Sequence, residues 1–250
     1  MRFTDKVVLV TGAGSGVGRA VARGFAREGA VVVAASRNPQ ALEQTVKLIE
    51  AEGGRAAALT VDVTESADVA RLVRDVVTRF GRLDVAVNNA GVFAAGAVAD
   101  LPEDDWARVM GVNATGTFLA MKHEIAAMRA QGSGVIVNIA SNIGAHKRVP
   151  GLGAYAASKA AVSVLTRTAA LENIAAGVRI NAVSPGPLDT EMSVRPGETE
   201  EDRAARLRDQ LPIGRVGTLD EITGTVLWLA SDDAGFAVGL DLALDGGASA

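Results

Sequence analysis

The 250-residue chain has no cysteine, a single tyrosine and two histidines. Without cysteine there is no disulfide framework, no thiolate nucleophile and no cysteine-ligated metal, a composition compatible with a reducing compartment. The histidines, His123 and His146, lie far apart in sequence, so a histidine-rich metal site is not expected. Long apolar runs are also missing. Runs such as 29–35 fall far short of the roughly 18 residues a membrane span needs. Residues 1–6 hold two basic groups and one acid, and 7–10 is too short for the core of a signal peptide. The expected location is therefore the cytoplasm, with no membrane partner. Concentrated positive charge is lacking too: 25 Lys and Arg stand against 29 Asp and Glu, a formal net charge of −4. That balance argues against a general nucleic-acid binder.

What is present suits a large core. Hydrophobic residues make up 48% of the chain and charged ones 22%. A chain of this length buries roughly three quarters of its unfolded surface, so it needs no staple. Short apolar, β-branched runs at 6–10, 31–35, 57–61, 85–87, 135–139 and 179–183 read as strands buried on both faces. Between them 17–28, 39–53, 66–80, 103–130, 154–176 and 219–231 carry helical periodicity. A last short strand near 240–244 brings the total to about seven. This alternation predicts an α/β fold, a doubly wound parallel sheet with helices on both faces. No linker or repeat divides the chain, so one domain over 1–250 is expected. The least regular stretch is 185–216, with Pro196, Gly197 and a charged run at 198–209. The run reads as a solvated helix, and equally as a substrate flap at about 188–215.

Thr11-Gly12-Ala13-Gly14-Ser15-Gly16-Val17-Gly18 follows the first strand and opens the first helix. Glycines there allow a tight turn and let the backbone approach a pyrophosphate at the positive helix N-terminus. A dinucleotide fingerprint usually places an acid about 20 residues on, for the ribose 2′-hydroxyl. Here the second strand ends in Ser36-Arg37, with no acid until Glu43. A carboxylate repels a 2′-phosphate, whereas a serine donates to it and an arginine pairs with it. The cofactor expected is NADP(H), with NAD(H) as the alternative. The plainer reading makes Arg37 a solvated turn residue and Ser36 the cap of the next helix.

The lone tyrosine sits in Ala154-Tyr155-Ala156-Ala157-Ser158-Lys159-Ala160, where the four-residue spacing stacks Tyr155 and Lys159 on one helix face. A free phenol, with a pKa of about 10, is a poor base at neutral pH, and a nearby ammonium favours its ionised form. Alone, the pair equally describes a packed tyrosine beside a surface lysine. Asn88-Asn89-Ala90-Gly91, Pro185-Gly186-Pro187-Leu188-Asp189-Thr190 and the terminal Asp245-Gly246-Gly247 add to it. Together, in this order and over nearly the whole chain, these motifs resemble the short-chain dehydrogenase/reductase family. The resemblance is to its short single-domain branch, with members like 3-oxoacyl-[acyl-carrier-protein] reductase.

That resemblance implies a Rossmann-type fold and an oxidoreductase moving a hydride between NADP(H) and a small ketone or secondary alcohol, chiefly toward reduction. It gives Ser141, in Asn138-Ile139-Ala140-Ser141, the substrate oxygen to hold, although the same serine would also suit a strand-end cap. Tyr155 becomes the general acid or, as phenolate, the base. Lys159 binds the nicotinamide ribose and lowers the tyrosine pKa, helped by the positive ring of the oxidised cofactor. Asn113, in Val112-Asn113-Ala114, holds a water linking Lys159 to solvent. Cofactor contacts are implied for Gly12, Ser15, Gly16 and Gly18, with the Val17 backbone near the pyrophosphate, and for Ser36 and Arg37. Asp62 and Val63 fall beside the adenine, and Asn89, Ala90 and Gly91 on the adenine-ribose side, with Asn88 structural. Tyr155 and Lys159 also contact the cofactor, as do Pro185, Gly186, Leu188 and Thr190, the last two holding the carboxamide. The family assembly is a homotetramer, with 103–130 and 154–176 at one interface.

Some features depart from the family pattern. Ser141 and Tyr155 are 14 positions apart (155 − 141), one more than in many close relatives, so 143–153 is expected to be reshaped. His146, Lys147 and Arg148 in that loop are expected to face water rather than an anionic substrate. Position 15 is serine where some NADP-using relatives carry a base. The tail 239–245 is unusually acidic for a segment that often packs between subunits. Two alternatives stand beside the main reading. One is an NAD-dependent alcohol or sugar dehydrogenase of the same family. The other is a nucleotide-binding regulatory protein without chemistry, against which every catalytic position is filled.

Overall fold

In the computed structural model, which describes residues 1–190, 194 and 197–250, seven strands form one sheet in the order β3-β2-β1-β4-β5-β6-β7. They are β1 (Val7–Thr11), β2 (Val31–Ser36), β3 (Arg55–Thr60), β4 (Val85–Asn88), β5 (Gly134–Ile139), β6 (Val178–Pro185) and β7 (Asp241–Leu244). Every pairing is parallel, as it must be when each strand returns through a crossover. The helices are α1 (Gly16–Arg27), α2 (Pro39–Ala51), α3 (Ser66–Phe80), α4 (Glu103–Val109), α5 (Gly116–Gln131), α6 (Asn142–Ala145), α7 (Gly153–Asn173), α8 (Glu200–Gln210) and α9 (Leu219–Ala230).

Strand alternation sorts the core into two layers. Val8, Val10, Val32 and Ala34 pack with Val21 and Phe25 of α1, Leu42 of α2 and Ile222 of α9. Val7, Leu9, Val33 and Ala35 point the other way, onto Leu72 and Val76 of α3, Leu119 of α5 and Ala170 of α7. Apolar residues on both faces are thus what a central strand in a doubly covered sheet requires. β3 differs from the fully buried expectation: its residues are exposed or half-buried, because it is the outer strand with a neighbour on one side only. The chain leaves β1 toward β2 and β3, then returns to β4 on the other side of β1. That reversal opens a crevice at the carboxyl ends of β1 and β4, the usual ligand position in such sheets.

Expected elements differ from the structure in three places. The helix expected over 103–130 is interrupted by a π-helical turn, Met110–Thr115, between α4 and α5. The one expected over 154–176 ends in a 3₁₀ turn, Ile174–Ala176, closed by Gly177. The charged run becomes α8, whose Thr199 hydroxyl accepts from the Asp202 N–H at 3.1 Å, while Asp202 Oδ2 accepts from the Thr199 backbone N–H at 3.4 Å. This reciprocal cap starts the helix. Leu207 is buried, so α8 is not solvated all round. Of the expected flap, residues 191–193, 195 and 196, Pro196 included, lie outside the described residues. Among the described residues no helix is long and apolar enough to cross a membrane.

Candidate active site

β5 carries the chain past the carboxyl edge of the sheet to Ser141, and α7 turns back with Tyr155, Ser158 and Lys159 in its first two turns. Ser141 is buried, and its Oγ accepts from the Ile143 N–H at 3.2 Å, capping α6. The capping role and the site position therefore coincide. Burial pushes the Tyr155 phenol above its ordinary pKa, against a hydrogen bond with the Ser141 side chain that favours ionisation. The Lys159 Nζ, 6.0 Å from the centre of the Tyr155 ring, donates to the Ile139 carbonyl oxygen at 2.7 Å. Burial brings the ammonium down to about 8. The protein by itself thus sets desolvation of the phenolate against a single bond that favours it, and the lowering expected from the positive ring of the oxidised cofactor belongs to the bound cofactor. The Phe93 ring lies against the Tyr155 ring, centroids 5.3 Å apart and tilted by 60°.

Asn113 is buried in the π-helical turn. Its Oδ1 accepts from the Val92 N–H at 2.8 Å, and its Nδ2 donates to the Val92 carbonyl at 2.9 Å and to Ser158 Oγ at 3.0 Å. Ser158 Oγ donates in turn to the Tyr155 carbonyl at 2.7 Å. The Asn113 side chain thus clamps the strand-end segment after β4 to the helix bearing Tyr155, and its own backbone carbonyl accepts from Thr117 Oγ1 at 2.7 Å. Ser158 is not among the residues that the sequence pattern singles out. Its only signal there is a small polar residue inside the Tyr155–Lys159 turn.

The glycine turn lies at the crevice beside this group. A Cβ on Gly18 would come within 2.5 Å of Asn89 Nδ2 and onto the Gly12 carbonyl, so only glycine lets α1 start this close to the strand ends. Asn89 Nδ2 donates to the Thr11 and Gly12 carbonyls at 3.1 and 3.2 Å. Thr11 Oγ1 accepts from the Asn89 and Ala90 N–H groups at 3.1 and 3.3 Å. Asn89 and Ala90 therefore tie down the turn, and Gly91 lies close to both Asn113 Oδ1 and Lys159 Nζ. Among the described residues Ser15, at the N-cap of α1, makes no side-chain cap. A Cβ on Gly16, next to Val17, would meet only the Thr190 methyl among the described residues. There is thus room beside the start of α1, which suits a pyrophosphate at a helix N-terminus.

At the end of β2, Ser36 Oγ donates to the Asn38 carbonyl at 3.4 Å. The cap of α2 is Asn38, whose Oδ1 accepts from the Ala41 N–H at 3.1 Å, so Ser36 is not the helix cap. Arg37 is exposed, 3.9 Å from Asp62 Oδ2. The Thr64 backbone N–H and hydroxyl, at 2.9 and 2.7 Å, hold the Asp62 carboxyl below its usual range. Val63 is buried against Gly116. Ser36, Arg37 and Asp62 thus share one corner, with a donor pair and no acid at the strand end itself. Across the crevice Gly186 N–H donates to the Leu244 carbonyl at 2.9 Å, next to Pro185. Leu188 is buried. Asp189 N–H donates to the Gly217 carbonyl, and Gly217 N–H to the Pro187 carbonyl, both at 3.0 Å, which pins this turn. These positions together fit a nicotinamide dinucleotide laid along the crevice. The loop after Ser141 corrects one expectation: His146 faces Asp241, with Nε2 3.0 Å from Oδ2, rather than water.

Comparison with known proteins gives matches across the chain. The profile of a protein family described as enoyl-(acyl carrier protein) reductase matches residues 12–249. A 3-oxoacyl-[acyl-carrier-protein] reductase of Thermotoga maritima is 37% identical, covering 99% of each chain. A meso-2,3-butanediol dehydrogenase of Serratia marcescens is 39% identical, covering 100% of this chain and 97% of its own. The crystal structure of a short-chain type dehydrogenase/reductase from Mycobacterium marinum superposes with a TM-score of 0.93 at 36% identity, covering 99% of this chain and 96% of its own. The chain belongs to the short-chain dehydrogenase/reductase family, and it is an oxidoreductase of alcohols and ketones.

Proposed function

We propose that this short-chain dehydrogenase/reductase uses NADP(H) to reduce a small ketone to a secondary alcohol, with Tyr155 as the acid. The observation that carries the reading is Tyr155 and the buried Lys159 one turn apart on α7, with the lysine tied to the strand that leads to Ser141. When bound, the nicotinamide supplies the hydride. Tyr155, raised by burial, holds its proton at neutral pH and gives it to the substrate oxygen as negative charge develops there. Ser141 orients that oxygen, so donors are in place before charge appears. Lys159, at about 8, is charged at neutral pH and holds ribose hydroxyls beside the tyrosine. Asn113, through Val92 and Ser158, fixes how these groups face one another.

NADP(H) is favoured by Ser36 and Arg37 at the end of β2. Arg37's contact with Asp62 is long and exposed, and such pairs are typically worth under about 1 kcal/mol. A 2′-phosphate offers a stronger, bidentate partner. Assembly as a homotetramer is supported by Phe118 on α5 and Val164 and Leu171 on α7, large apolar side chains left exposed. The test is a panel of ketones followed by NADPH absorbance, repeated with NADH. A clear preference for NADH would overturn the Arg37 assignment.

A further inference from the structure

We propose that His146 and Asp241 are a positioning pair that holds the turn behind Ser141 in its reactive shape. The proposal rests on the reading of Ser141 as the ligand of the substrate oxygen. Its starting point is the acidic last strand. Asp241 opens β7 and Asp245 is the first residue after it. Both reach the turn that follows Ser141. Asp245 Oδ2 accepts from Asn142 Nδ2 at 3.1 Å, and Asp241 Oδ2 lies 3.0 Å from His146 Nε2. The turn is therefore gripped at its first and last residues from the two ends of β7.

The turn needs that grip. Ile143 and Gly144 leave helical geometry, with Gly144 at φ +138°. Two backbone bonds close it, Gly144 N–H to the Lys147 carbonyl at 2.9 Å and Lys147 N–H to the Asn142 carbonyl at 2.7 Å. A Cβ on Gly144 would stand 2.9 Å from the Ala156 carbonyl and the Ala160 nitrogen. The turn thus presses on the helix that bears Tyr155 and Lys159, and a shift in it moves Ser141 and Tyr155 relative to each other.

The Asp241 side chain is 0% exposed. Its Oδ1 accepts from Ser184 Oγ at 2.5 Å, and the exposed Arg167 guanidinium stands 3.8 Å from Oδ2. A buried carboxylate that loses a partner is costly. His146 Nε2, at 3.0 Å, is the group that stands nearest to Oδ2 on the side of the turn. The sequence holds the pair at two remote positions, which is why neither the histidine in a charged loop nor the acidic tail could be interpreted singly.

Three enzymes separate positioning from general stability: wild type, His146→Leu, which removes the partner, and His146→Gln, which keeps a donor at similar reach. For the leucine variant the expected result is a fall in kcat/KM for the ketone of roughly 10- to 100-fold, the scale of a small misplacement. The KM for NADPH stays near wild type and glutamine recovers most of the loss in kcat/KM, although leaving the Asp241 carboxylate without its partner lowers the Tm of the leucine variant. Hydrogen exchange at the Gly144 and Lys147 amides accelerates in the leucine variant. Unchanged kcat/KM and exchange in that variant overturn the proposal, as does a loss glutamine does not recover while Tm and cofactor binding decline in parallel. A wild type inactive on every ketone would instead overturn the functional reading, and the exchange experiment would then decide the brace by itself.

Discussion

The Lys159 Nζ donates to the Ile139 carbonyl at 2.7 Å, so the helix carrying the tyrosine is tied to the strand that delivers Ser141. The ammonium therefore works from a fixed anchor, close to the phenol ring but directed at backbone. Preorganisation of this kind leaves little to rearrange when charge appears on the substrate oxygen.

Tyr155→Phe removes the proton donor and keeps the ring that packs on Phe93. Ketone reduction should fall by roughly 100- to 10,000-fold, while NADPH binding followed by fluorescence changes little. Turnover near the wild-type level would show that another group supplies the proton.

The pH profile of reduction should be flat through neutral pH and fall above about 8. The tyrosine lies above its ordinary range and stays protonated there, so it is not the limiting group. Lys159, lowered by burial, loses its charge first as pH rises. A profile that instead falls with decreasing pH between 8 and 6 would contradict this ordering.

Arg37→Ala should raise the KM for NADPH by roughly 10- to 100-fold, the scale of a charge-assisted hydrogen bond, and leave the KM for NADH alone. Equal effects on both cofactors would place Arg37 away from the 2′-phosphate.

Glu124 is fully buried on α5, with Asn88 Nδ2 donating to its Oε2 at 2.9 Å, and burial raises its carboxyl from 4.5 to about 7. The folded state thus holds a proton that the unfolded state has already released between these values. Stability should fall as pH rises through that window, by roughly 3 kcal/mol in total. Glu124→Gln keeps an acceptor for Asn88 and should flatten this part of the urea-denaturation profile. A slope unchanged in the variant would assign it to other groups.

Much of this architecture was legible in order along the chain. The helix over Ser66–Phe80 and the strands of the central sheet announce themselves through apolar periods, because a buried face must repeat with the backbone's own geometry. The Tyr155–Lys159 pair is equally local: four residues in a helix make one turn. The break at Met110–Thr115 was not legible, since the Asn113 side chain there is matched to Val92, in a segment that the sheet topology brings alongside. Nor was the cap of α2, where Asn38 and Ser36 are both suitable residue types and the backbone geometry chooses Asn38.

By itself the sequence determined the alternation of strand and helix, the glycine turn and the spacing of the reactive side chains, all set by contacts a few residues apart. Only the tertiary structure decided that the tyrosine would be desolvated, that Lys159 would anchor on Ile139, and that His146 would meet Asp241 rather than water. The reason is that desolvation and ion pairing depend on which distant segments are folded against a group, and no local period encodes that.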